Sequence, residues 1–413
     1  MISRIKQLFN RNFVRDLATL QVGNFVSTGL SFAASIVFAR VLGPDDYGKY
    51  VIIFAFTALV GLFMQWGTEH ATLTLLPEAW ARKDKEEVKK IIIYFLKVSI
   101  LVSLTVGVLA VVLAGVLAGW IYRDVGIGEL ARWILAGMAI RFMFLLLVNI
   151  LQLIRKIKHL TIIENTGKLV YILLPVGLVL LGLGLNGVVV GYFISSLIFL
   201  VFGFWFYELL SRRMDLLPSY KEIIRGFRKV SIRKYFKFGF LIAVDKNLAS
   251  LYTILPLTFL GMFVANAEVG YYKIAFSYIG LALMILTPVS RLLSVQLPKS
   301  KTYGIKQLKK DFLKSSFASF GMMLVVVIPM VVFSKYLVEI FYGEQYLPTI
   351  RIIYMLSPFV LVAGWGTSLG PIYRTLHKMK VTIITNLILI AAGAPFYYWL
   401  IQTYGLKGMA ISV

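Results

Sequence analysis

At 413 residues, with 59% hydrophobic side chains, a mean hydropathy of +0.83 and only 15% charged residues, the chain carries more apolar surface than a water-soluble core can hide. Its charge is strongly basic, 43 Lys and Arg against 19 Asp and Glu for a formal net charge of +24, but it falls in separate short segments, which argues against a nucleic-acid partner needing one compact basic face. The absence of cysteine excludes disulfides, zinc–thiolate sites and cysteine nucleophiles, and the absence of a Gly-x-x-x-x-Gly-Lys loop excludes ATP hydrolysis by that route.

In chain order, apolar stretches long enough to cross a bilayer, about 20 residues each, occupy 16–40, 48–69, 91–121, 128–153, 160–183, 186–209, 238–263, 270–297, 312–341, 348–372 and 380–402. A twelfth begins at Gly405 and is cut short at Val413, so the expectation is a parent chain of roughly 430 residues or more whose C-terminus returns to the side of the N-terminus. Basic clusters punctuate every second loop. Arg4, Lys6, Arg11 and Arg15 precede the first stretch, Arg82 to Lys90 follow the second, Arg155, Lys156, Lys158 and Lys168 the fourth, Arg212 to Lys237 the sixth, Lys299 to Lys314 the eighth, and Arg374, Lys378 and Lys380 the tenth. The positive-inside rule then puts both termini in the cytoplasm of a multi-pass cell-membrane protein (plasma or inner membrane), with the basic loops against anionic lipid headgroups. The first stretch is too long for a signal-peptide core and should stay as a helix. His70, His159 and His377 sit near stretch ends without a second ligand at zinc spacing, so neither a metal nor an organic cofactor is expected.

The second half of the chain repeats the first. Gly43-Pro44-Asp45-Asp46-Tyr47-Gly48-Lys49-Tyr50 has its counterpart in Ala265-Asn266-Ala267-Glu268-Val269-Gly270-Tyr271-Tyr272, about 222 residues later, and Gly184-Leu185-Asn186-Gly187 answers Gly405-Leu406-Lys407-Gly408. The expected fold is all-α and integral to the membrane: a six-helix lobe at 1–210, a basic cytoplasmic linker at 211–237, and a second pseudo-repeated lobe at 238–413 whose last helix is truncated. Duplicated membrane halves are the usual build of a transporter that rocks two lobes around a central site.

Polar residues inside the apolar stretches carry the chemistry. Gln21, Asn24, Thr28, Ser31 and Ser35 form one stripe on the first stretch; Thr57, Gly61, Gln65, Thr68 and Thr72 mark the second, with Glu69 at the repeat position of Arg291; Lys273, Ser277, Gly280, Thr287, Arg291 and Ser294 mark the eighth. Ser and Thr stripes alone serve helix packing, but ionisable groups at membrane depth are costly and by default functional. These are Arg141 in the fourth stretch, Asp245 and Lys246 beside Asn247 in the seventh, and Lys273 and Arg291. The candidate cavity set is therefore Asn24, Thr28, Ser31, Gln65, Arg141, Lys246, Asn247, Lys273, Ser277 and Arg291, net basic and suited to an anion. Asp245 and Glu69 are the candidates for proton or sodium coupling. Most of the embedded charge is expected in the second lobe. Pro256 and Pro288 should bend the seventh and eighth helices.

The string Ala39-Arg40-Val41-Leu42-Gly43-Pro44-Asp45-Asp46-Tyr47-Gly48, with Gly67-Thr68-Glu69 and Leu76-Pro77-Glu78, resembles the Wzx-type polysaccharide flippases of the multidrug/oligosaccharidyl-lipid/polysaccharide (MOP) exporter superfamily. The resemblance implies a twelve-helix MATE-like fold and translocation, without catalysis, of an anionic polyprenyl-diphosphate-linked oligosaccharide from the cytoplasmic to the outer leaflet, alongside other polysaccharide-assembly proteins. It gives Arg40, Gly43, Pro44, Tyr47 and Gly48 a gating or structural role. The alternatives are a lipid II flippase or a multidrug cation antiporter of the same fold. A membrane glycosyltransferase or polymerase fits less well, because every outer loop is short.

Overall fold

The computed structural model describes residues 11–153, 157–376 and 379–412. All regular structure among them is helical. The helices are α1 (Arg11–Gly61), α2 (Thr68–Ala81), α3 (Lys85–Val102), α4 (Val108–Tyr122), α5 (Val125–Ile140), α6 (Phe142–Leu153), α7 (Ile157–Leu178), α8 (Gly184–Arg213), α9 (Tyr220–Phe227) and α10 (Arg233–Phe263). They continue with α11 (Asn266–Met284), α12 (Leu286–Thr302), α13 (Ile305–Val332), α14 (Ser334–Tyr342), α15 (Thr349–Gly366), α16 (Leu369–Thr375) and α17 (Met379–Ser412).

Among the described residues seven helical stretches are long and apolar enough to cross a membrane, or nine when two bent pairs each count as one span. Four of the stretches, of 37 residues or more, exceed what a bilayer needs. Thr161–Arg213 runs 53 residues, roughly 80 Å at helical rise against a hydrocarbon core of about 30 Å. It is interrupted at Gly182 and Gly184, and α1 is likewise interrupted at Gly43. Divided at those turns, the stretches correspond to the ones read from the sequence. Their outward faces are apolar: on α4, Val112, Val116 and Trp120 follow one another at one-turn spacing, all exposed. In water such a stripe would drive aggregation; against lipid tails it is the proper surface.

The helix is bent ahead of Pro256, and ahead of Pro288 it is interrupted by a one-residue turn within a single span. α10 bends by 44° between Leu251 and Thr253, four residues ahead of Pro256, and α11 gives way to α12 at Ile285, just after Met284, four residues ahead of Pro288. A proline cannot donate to the carbonyl four residues back, so the helix opens there. One pair of matching strings also shares a backbone geometry. Gly184 and Gly405 adopt the same left-handed geometry, φ 53° with ψ −139° and φ 55° with ψ −132°, which strongly favours glycine. In each copy the glycine three residues on, Gly187 or Gly408, packs against the backbone of the preceding helix.

The chain forms two compact units. The first holds residues up to Val41 and Phe56–Ser250. Here α4 pairs with α5, α5 and α7 with α8, and α2 with α3, over a core that includes Ile91, Tyr94, Phe95, Leu146, Leu147, Ile150 and Tyr207. The basic segment 211–237 is part of it. The hydroxyl of Tyr207 donates to the carbonyl of Pro218 at 2.8 Å, Tyr220 to that of Phe204 at 2.6 Å, and the Lys97 ammonium to that of Val230 at 3.1 Å. Lys97 thus ties the segment down. The second unit holds Leu42–Ala55 and the chain from Leu251 onward, with α15 packed on α11 and α13, and α12 on α13 and α16.

These boundaries differ from a division at 210 and 238. The first half of α10 belongs to the first unit because Gly239 lies directly on Gly67, where a Cβ on either would strike backbone, and because Tyr235 donates to Glu87 at 2.8 Å. Leu42–Ala55 belongs to the second unit because Gly48 lies on Asn266 and Gly270 on Pro44.

Candidate functional site

The first unit contains a cavity of about 110 Å³ built around a broken helix. After Gly61 the chain tightens into a 3₁₀ turn, Leu62–Met64, runs extended at Gln65, passes through Gly67 in the left-handed region at φ 74°, and restarts as α2. A break inside the membrane releases backbone groups that lipid cannot satisfy. The Asn247 side chain satisfies two of them: its amide nitrogen donates to the carbonyls of Leu62 at 3.0 Å and Gln65 at 3.2 Å. The same residue leaves its Oδ1 buried with no donor among the described residues, an orphan acceptor that would cost about 1–3 kcal/mol unless water or a ligand met it.

Around this point the cavity wall carries Gln65, Thr68, Glu69, Ser99, Ser103 and Lys246, over an apolar floor that includes Trp66, Phe95 and Phe142. α2 opens onto it without a side-chain cap, and Glu69 in its first turn complements the positive end of the helix dipole. Opposite, a π-helical turn at Ser103–Gly107 aims the Ser103 hydroxyl at the carbonyl of Ala139. Such single-turn expansions are frequent at functional sites. The volume suffices for several waters, at about 10–15 Å³ each. The wall offers one carboxylate, one ammonium, one open amide acceptor and hydroxyls, a mixture that can hold hydroxyl and phosphoryl groups alike.

Of the residues singled out from the sequence, Gln65, Glu69, Lys246 and Asn247 are thus brought together. The side chains of Asn24 and Asp245 lie outside the described residues. Thr28 is half-buried and Ser31 exposed, away from the cavity. Arg141 caps the end of α5, where α5 and α6 meet at a 42° bend, and its guanidinium lies 4.8 Å from the ring centre of Tyr171 and 5.8 Å from that of Phe144. Its Nε is buried with no hydrogen-bond partner among the described residues. Lys273, Ser277 and Arg291 belong to the second unit. Arg40 is exposed; Tyr47 is buried in an aromatic cluster with Tyr50 and Tyr346, behind the turn at Gly43 and Pro44. Thr68 joins the cavity wall from the polar seam of the second stretch, whereas Ser99, Ser103 and Trp66 carry no mark in the sequence beyond the Gly67 helix-start signal next to Trp66.

A broken helix lining a polar cavity, inside a helical protein whose outer surface is apolar, is the build of a multi-pass membrane transporter. The chain belongs to the polysaccharide biosynthesis protein family, which it matches over residues 37–351. No curated protein matches it in sequence. Among solved structures it is similar to an inward-facing multidrug resistance MATE family transporter of the MOP superfamily, at TM-score 0.69 and 16% identity over 93% of this chain and 90% of the other. It is similar to the lipid II flippase MurJ in an inward closed conformation, at TM-score 0.69 and 16% identity over 95% and 83%, and to a eukaryotic MATE transporter at TM-score 0.62 and 17% identity over 97% and 92%. The fold is therefore that of the MOP superfamily.

Proposed function

We propose that the protein is a flippase that moves a polyprenyl-diphosphate-linked oligosaccharide from the cytoplasmic to the outer leaflet by alternating access, for polysaccharide biosynthesis. The observation that carries this reading is membership of a polysaccharide biosynthesis family on a fold shared with a lipid II flippase. The cargo joins an anionic diphosphate to a polar glycan, and Lys246 beside the amides of Gln65 and Asn247 and the hydroxyls of Thr68, Ser99 and Ser103 suits both parts. The polyprenyl tail stays in the bilayer. The basic loops, with the N-terminus, face the cytoplasm, and Glu69 and Asp245 are the carboxylates that would bind a coupling proton or sodium ion. The multidrug cation antiporter reading shares the fold, but the Lys246 ammonium in the cavity wall would oppose a cationic cargo.

The test is transport in proteoliposomes carrying a fluorescent lipid-linked oligosaccharide. Vesicles with the protein should expose inner-leaflet probe to a membrane-impermeant reductant faster than empty vesicles. Equal rates, together with uptake of an organic cation, would replace this reading by the antiporter.

A further inference from the structure

The geometry points to a second binding subsite, at one end of the second unit, for an acidic oligosaccharide bearing uronate or phosphate groups. It rests on the flippase reading and deepens it by naming the charge class of the glycan.

Three turns of the second unit meet around a pocket of about 490 Å³, within the size range of small-ligand sites. The start of α11 supplies Glu268 and Tyr271, the first turn of α15 supplies Arg351, and the Gly405 turn within α17 supplies Tyr404 and Lys407. In the alternation of basic loops all three turns fall on the side opposite the linker, where a translocated glycan emerges. Glu268, Arg351 and Lys407 make no ion pair with one another or with any other side chain among the described residues. The two cations are thus open to a ligand, and a guanidinium takes a carboxylate or phosphate through two parallel hydrogen bonds.

The two rings are held in place. Tyr271 meets Tyr346 edge-on at 5.9 Å and Tyr404 meets Trp399 edge-on at 6.3 Å, so both offer apolar surface to a sugar ring at little entropic cost. Glu268 can accept from sugar hydroxyls. The duplication by itself does not produce this set: at the matching places the first half carries Asp46, Glu129 and Asn186 in place of Glu268, Arg351 and Lys407. The cations belong to the second half alone.

The test uses the purified full chain in nanodiscs, titrated by isothermal calorimetry with trigalacturonate, maltotriose and inorganic phosphate. Trigalacturonate should bind at least tenfold tighter than maltotriose or phosphate, and the Arg351→Gln/Lys407→Gln double variant should lose at least tenfold of that affinity. Lys407→Arg should retain it, which separates lost charge from lost fold. Equal binding of maltotriose, equal binding of phosphate, or an unaffected double variant would each overturn the proposal. Vesicle transport without trigalacturonate binding would remove this subsite and leave the flippase reading; binding without transport would do the reverse.

Discussion

At the scale of single residues, Asn247 is where packing and function meet. Its amide replaces ladder donors at a helix break about 185 residues away, while its oxygen stays open to the cavity. Asn247→Leu keeps the volume but leaves both carbonyls without the amide, so the variant should be destabilised by about 1–3 kcal/mol, read as a lower thermal midpoint of the purified protein. An unchanged midpoint would mean that water already serves those carbonyls. Arg141 shows how far sequence reading reaches. That it is embedded and costly is legible from its place in an apolar stretch; that it lies on the rings of Tyr171 and Phe144 is not, because Tyr171 lies on another helix and only packing brings it near.

At the scale of elements, α9 makes the basic segment a folded part of the first unit. Ser219 and Glu222 form a reciprocal cap, with the Ser219 backbone amide donating to the Glu222 carboxylate at 2.7 Å and the Glu222 amide to the Ser219 hydroxyl at 3.4 Å. The bond from the Ser219 backbone, then that from its hydroxyl, hold the Glu222 carboxyl below its usual pKa. Its folded value lies below its unfolded one, so the stabilisation is complete above the ordinary carboxylate range and is lost as pH falls through the folded value. Hydrogen exchange at Ile223, corrected for intrinsic rates, should quicken on acidification, and Ser219→Ala at neutral pH should quicken it by about fivefold, the equivalent of a cap worth ~1 kcal/mol. Identical exchange in variant and parent would show that the tyrosine and lysine ties alone hold the segment.

Element breaks were legible only where a residue type marks them. Pro256 marks its bend and Pro288 the one-residue turn before it, and the matching Gly-Leu-x-Gly strings mark two turns of the same geometry. The π-helical turn at Ser103–Gly107 lies inside a continuous apolar run and carries no such mark, so it could not be read. The membership of the first half of α10 was equally hidden, because it depends on Gly239 meeting Gly67 far along the chain.

At the scale of the whole molecule, the alternation of basic loops predicts a single orientation. The chain has no cysteine, so each introduced thiol can be labelled without background. In intact cells a membrane-impermeant maleimide should label Asp46→Cys and spare Ser231→Cys, and only permeabilisation should expose the latter. The reverse pattern would invert the topology and move the Arg351 and Lys407 pocket to the cytoplasmic side.

The contacts of Gly48 and Gly270 carry a meaning beyond close packing. Gly48 lies on Asn266, and Gly270 lies on Pro44 and on the nitrogen of Gly48 itself. With the repeat offset removed, these are one contact made twice, residue i on j and j on i, with the two glycines next to each other. That is the signature of an isologous interface around a two-fold axis. Within the second unit the two glycine turns therefore share one local two-fold contact, and a side chain added at either glycine would press on the backbone of the opposite turn.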